Sequence, residues 1–123
     1  MEYMLLIYGD EAAAAARTAE ETAQMHAEYA TLTEELMRSG VLVSGSALQG
    51  TDSATAVRVR NGSTTTTDGP YAEAKEVLGG YYIVECDDLD QAIGWAEKIP
   101  GAHAGGIEVR PLMKMAVDAE PTS

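Results

Sequence analysis

Large apolar residues open the chain without interruption. Tyr3-Met4-Leu5-Leu6-Ile7-Tyr8 runs up to a Gly9-Asp10 break, and a run of that length bounded by turn residues reads as a strand apolar on both faces. After an alanine stretch from Ala12 to Ala16, Thr18-Ala19-Glu20-Glu21 has the spacing of a capping box. In that arrangement the Thr18 hydroxyl accepts from the Glu21 amide while the Glu21 carboxylate reaches back. Met25, Tyr29, Leu32 and Leu36 then recur at steps of four, three and four. That is one stripe of a helical period, and Arg38 followed by Gly40 supplies a favourable charge and a left-handed stop. A helix is predicted over about 18–39.

Val41-Leu42-Val43 begins a second strand, and Ala56-Val57-Arg58-Val59-Arg60 is a third with clean alternation, set off by a polar connection at 50–53. Asn61-Gly62 follows at once. Both central positions of a type I′ turn need positive φ, so this dipeptide predicts a hairpin in which Thr64 to Thr67 returns antiparallel to the third strand. Asp68-Gly69-Pro70 closes the return, and Pro70 suits the first position of a short helix over 71–76, ended by Gly79-Gly80. Tyr81 to Cys86 is again a strand apolar on both sides. Asp87-Asp88 offers a cap for a helix marked by Leu89, Ala92, Ile93, Ala96 and Ile99, which stops at Pro100-Gly101. Gly106 to Leu112 is the last strand. The expected fold class is α+β, a ferredoxin-like sandwich with an antiparallel sheet and helices on one face, in one domain over 1–115 with a frayed tail at 116–123.

Composition sharpens this picture. The 123 residues are 46% hydrophobic and 23% charged, ordinary for a single globular domain. The single cysteine, Cys86, leaves no internal disulfide. With no secretory leader pattern and no apolar run near the ~20 residues a spanning helix needs, a cytoplasmic protein without membrane partners is expected. Twenty acidic against eight basic residues, a net charge of −12, repel phosphate backbones, so nucleic-acid binding by bulk charge is excluded. Two histidines without a dense acidic cluster argue against a tetrahedral metal site.

Two helices cover only one face of such a sheet. Tyr3, Leu5 and Ile7 take one side of the first strand and Met4, Leu6 and Tyr8 the other, so one apolar face is left over. At roughly 25 cal/mol per Å², even ~400 Å² of it corresponds to ~10 kcal/mol of burial not realised. A second copy packed sheet to sheet about a twofold axis is the economical cover, and a homodimer is expected; the alternative is that loops or the tail fold over that face. Arg58 and Arg60 share a parity, as do Glu108 and Arg110. Facing the space between two sheets, they would line a cleft suited to a small anionic or phenolic ligand. Alternatively they pair with surface acids.

The segment Asp68-Gly69-Pro70-Tyr71-Ala72-Glu73-Ala74-Lys75-Glu76, followed by Leu78-Gly79-Gly80-Tyr81-Tyr82, resembles the signature of the YCII-related family in its DGPF-domain branch. The resemblance spans nearly the whole chain and includes the opening strand, Val57-Arg58-Val59-Arg60, Glu85 to Asp90 and Ile107-Glu108-Val109-Arg110-Pro111. Tyr71 stands where phenylalanine is typical, and Ala74 where threonine is common. The resemblance implies a ferredoxin-like subunit of a dimeric α+β barrel. It leaves activity open between small-molecule enzymes, such as lyases, and a signalling accessory linked to an extracytoplasmic-function sigma factor. No cofactor is implied.

Each candidate side chain carries two readings. Asp68 is either a general base or orienting carboxylate at a cleft mouth, or a turn residue whose carboxylate satisfies nearby amides. Tyr71, Glu73 and Lys75 either line a ligand site beside it or form a solvated face. His26 flanks the core stripe of the first helix and either points a titrating imidazole into the cleft as a proton carrier or sits at the surface. His103 lies in a glycine-rich loop, and Cys86 reads as buried at a strand end among Glu85, Asp87 and Asp88. The reading reached is a homodimer with a small-molecule cleft. It acts either as a cofactor-independent lyase or other acid–base enzyme, with Asp68 as base, Arg58 or Arg60 as anion clamp and His26 as proton carrier, or as a non-catalytic binding protein.

Overall fold

A computed structural model describes residues 1–115; the tail expected to fray, 116–123, lies outside the described residues. In chain order the elements are β1 (Glu2–Asp10), α1 (Glu11–Ala15), α2 (Ala19–Arg38), β2 (Leu42–Ala47), β3 (Thr55–Arg60), β4 (Ser63–Asp68), β5 (Glu76–Glu85), α3 (Leu89–Glu97) and β6 (Gly106–Pro111), with single 3₁₀ turns at Thr51–Ser53 and Pro100–His103. Four strands form one antiparallel sheet in the order β2-β5-β1-β6. With α2 between β1 and β2 and α3 between β5 and β6, this is the ferredoxin-like α+β arrangement, into which the β3–β4 hairpin is inserted.

The local signals act as expected at several places. The Thr18 hydroxyl accepts from the Glu21 amide at 3.0 Å and the Glu21 carboxylate accepts from the Thr18 amide at 2.9 Å, closing the capping box of α2. At its other end Gly40 takes φ +72°, and the Val41 and Gly40 amides donate to the Leu36 and Met37 carbonyls, a Schellman termination. Asn61 and Gly62 both have positive φ, at 52° and 79°, and Thr55–Arg60 pairs antiparallel with Ser63–Asp68. The Asp88 carboxylate caps α3 through the Gln91 amide.

Register decides which side chains form the core. Tyr3 and Leu5 of β1 share a face with Tyr82 and Val84 of β5. Against them pack Leu32 and Leu36 of α2, Ala92 and Ala96 of α3, Cys86 and Ile99. Met4 and Leu6 pair across from Ile83 and Tyr81, and on the other side from Arg110 and Glu108. These stand on the opposite face, which neither α2 nor α3 covers.

Three expectations are corrected. The alanine stretch, given no element in the sequence-based reading, is part of α1, capped by the Asp10 carboxylate accepting from the Ala12 and Ala13 amides. Residues 71–75 form no helix: all five are exposed, and a helix of that length with no apolar face to pack has nothing to offset its nucleation cost. Gly79-Gly80 is accordingly no helix stop but part of β5, with Gly79 at a bulge opposite Ile7/Tyr8. Gly80 lies so close to β2 that a Cβ there would come within 2.8 Å of the Ser46 carbonyl oxygen. Finally, β3 and β4 form their own two-stranded sheet, so Arg58 and Arg60 do not share a sheet with Glu108 and Arg110.

Candidate functional site

The apolar stripe on α2 divides between two tasks. Leu32 and Leu36 are buried in the core, whereas Tyr29 and Met25, one and two turns nearer the N-terminus, are half-buried. They line a cavity of about 690 Å³ between α2 and the sheet. The sheet side of this cavity comes from the C-terminal end of β1, the end of β2 with the residues after it, and the start of β5. α1 and the Gly101–Gly105 turn region complete the wall. The chamber thus opens where all these elements end, at one end of the sandwich and on its helix-covered side.

Hydrogen bonds hold the aromatic walls. The Gly101 amide donates to the Tyr29 hydroxyl at 3.1 Å, and a Cβ on Gly101 would meet that hydroxyl at 2.8 Å, so the glycine lets the phenol dock against backbone. The Tyr82 hydroxyl shares a hydrogen bond with Thr33 Oγ1 at 2.9 Å. Burial pushes the Tyr29 phenol above its ordinary range, with the Gly101 amide and Arg17 pulling the other way. Across the rim, the Glu11 carboxylate accepts from the Thr51 amide at 2.8 Å and from its hydroxyl at 2.5 Å. These bonds join α1 to the segment after β2 and hold the Glu11 carboxyl below the usual glutamate range.

Of the residues singled out from sequence, His26 lines this cavity. Its ring is exposed at the rim, on the α2 turn between Thr22 and Tyr29. Asp68, Arg58, Arg60, Tyr71, Glu73 and Lys75 are not among its lining residues. Two of them do meet: the Arg58 guanidinium lies 4.4 Å from the centre of the Tyr71 ring, a cation–π contact joining β3 to the loop after β4. Arg60 turns back onto the Val59 carbonyl. Asp68 is exposed at the end of β4, where the adjacent Gly69 amide donates to Ala54. Glu73 and Lys75 are exposed in the irregular segment. His103 is exposed and ends the second 3₁₀ turn. Among the described residues no group of three or more His, Cys, Asp or Glu side chains is placed to hold a metal ion.

Sequence reasoning passed over Arg17, Tyr29 and Tyr82 as site residues. The two tyrosines lie on apolar stripes, where periodicity reports burial and not what the buried hydroxyl touches. Arg17 precedes the α2 cap and carries no local signal at all.

The family model for the YCII-related domain matches residues 1–116. The chain belongs to the YCII-related family. An uncharacterized protein of Rhizobium meliloti (strain 1021) is 34% identical over 114 residues, covering 91% of this chain and 92% of that protein. This YCII-related chain places its cavity on the helix side of the sheet, whereas the sequence-based expectation put a cleft between two sheets. Among the described residues no helix is long and apolar enough to cross a membrane.

Proposed function

We propose that this YCII-related protein, read as a member of the DGPF-domain branch, binds a small organic molecule in the cavity between α2 and the sheet and performs acid–base chemistry on it through His26. The cavity carries the reading. Its size falls in the range of small-molecule sites, its walls are mainly apolar with a few polar groups, and its rim carries a histidine, the side-chain type most used to give and take protons. A general acid or base must lie within hydrogen-bond reach of the group it acts on, and the rim position of His26 puts its ring beside the chamber. The reaction class that fits is a cofactor-independent lyase or another proton transfer. The working form is a homodimer joined through the open sheet face, with Met4, Leu6, Tyr81 and Ile83 at its centre.

The test is a ligand screen by NMR with small acids and phenols, followed by monitoring of each bound compound for conversion. Expected are hits that shift the His26 and Tyr29 amides, and a His26→Gln variant that still binds them but no longer converts them. Hits that bind without ever being converted would place the protein with the non-catalytic binding or signalling accessories. Hits that leave both amides unmoved would remove the cavity from consideration.

A further inference from the structure

Of the eight basic side chains, Arg17 alone lines the cavity. It is half-buried at the junction of α1 and α2, and among the described residues no carboxylate lies within ion-pair distance of its guanidinium. In a chain of net charge −12 this is unexpected, because acids are plentiful around it. Asp10 and Glu11 line the same cavity, and Glu20, Glu21 and Glu28 share with Arg17 the shallow depression beside it. Most of these acids hold other donors. Asp10 accepts from the Ala12 and Ala13 amides, Glu11 from Thr51, Glu21 from the Thr18 amide, and Glu28 from the Gln24 side chain. The structure therefore keeps the half-buried Arg17 beside an apolar chamber while four of the five acids around it bond other donors.

Resting on the cavity reading above, we infer that the site recognises a carboxylate-bearing molecule with an apolar body, and that Arg17 binds the carboxylate. The guanidinium is planar and always charged, and its fork matches the two oxygens of a carboxylate. Its position is consistent with reaching the chamber: Arg17 acts electrostatically on Tyr29, which is itself a cavity wall. Beyond that charge, Ile7, Met25, Leu42, Val77 and Leu78 offer only apolar surface. A flat hydrocarbon with one acidic end fits both halves, with the acid at the α1 side and the body against the sheet.

The experiment compares 2-naphthoate with 2-naphthalenemethanol, the same body without the charge, by NMR titration of the full chain. The amides of His26, Tyr29 and Gly101 are the reporters. For the wild type, tighter binding of the naphthoate by about tenfold or more is expected, the scale of one good charge-assisted contact. Arg17→Met keeps the apolar stem and should bring the acid down to the level of the alcohol, while Arg17→Lys should retain part of the preference. Circular dichroism melts of both variants confirm that they fold. Equal binding of both probes by the wild type overturns the carboxylate inference and leaves the cavity reading standing. A preference that survives Arg17→Met overturns the assignment to Arg17. Failure of both probes to move the three amides overturns the cavity reading and this inference with it.

Discussion

Two glycines show how single positions divide between packing and conformation. A Cβ at Gly105 would lie 2.1 Å from the Tyr8 carbonyl oxygen and 3.0 Å from the Gly9 Cα, so the loop before β6 must move away from β1 to accept it. Gly94, inside α3, has nothing within 4 Å of the same position. Gly105→Ala should therefore destabilise by about 2–4 kcal/mol, whereas Gly94→Ala should stabilise by about 0.5–1 kcal/mol through helix propensity. Urea midpoints of the two variants against wild type would show opposite signs. Cys86 is the other residue with a definite expectation. Burial pushes its thiol up, and Asp87, Glu85 and Asp88 push the same way against the N-terminal amine. A disulfide reagent should label it slowly in the native protein and rapidly in denaturant; fast native labelling would contradict the burial. The burial of Cys86 was readable from its place in an apolar run. The roles of Gly105 and Tyr29 were not, because both depend on a backbone segment more than 70 residues distant in sequence coming into contact.

Among the elements, α1 is held lightly. None of its five residues is buried, and its tie to the segment after β2 is the pair of bonds from Thr51 to the Glu11 carboxylate. Because those bonds hold the folded-state pKa of Glu11 below its unfolded value, they favour the docked form above the unfolded pKa and lose that contribution as pH falls through the folded one. The Thr51 amide resonance should accordingly titrate with an inflection below the ordinary glutamate range. Glu11→Gln should abolish that inflection and raise amide exchange in α1, and an inflection that persists would point to another carboxylate. At this scale the signals with a local cause were legible: the capping box, the Gly40 stop and the Asn61-Gly62 turn each act within a few residues. The 71–76 helix failed because Pro70 can start a helix only if something repays its nucleation, and that segment has no apolar side to bury. α1 was missed although an alanine run after a capping aspartate favours a helix, since Asp10 also served as the natural end of β1.

The whole molecule presents a sheet with helices on one side. On the other, Met4, Leu6, Tyr81 and Ile83 form an apolar band between Ser44 and Ser46 of β2 and the Glu108–Arg110 ion pair of β6, whose closest contact is 2.5 Å. A twofold partner would place like band against like band. Sedimentation should give twice the chain mass at micromolar concentration, and Ile83→Glu should convert it to monomer with the helix content intact; a wild type that sediments as a single chain would end the dimer proposal. From the order of residues alone came the strand and helix alternation, the α+β class, the two-sided apolar strands and the family resemblance. Each of these rests on periodicity or on contacts among near neighbours. Folding in three dimensions decided that α2 spends half its apolar stripe on a cavity and half on the core, that Arg58 meets Tyr71 away from that cavity, and that Arg17 lines it with no acid partner among the described residues. Such facts depend on where separate elements end relative to one another, and no local pattern encodes that distance.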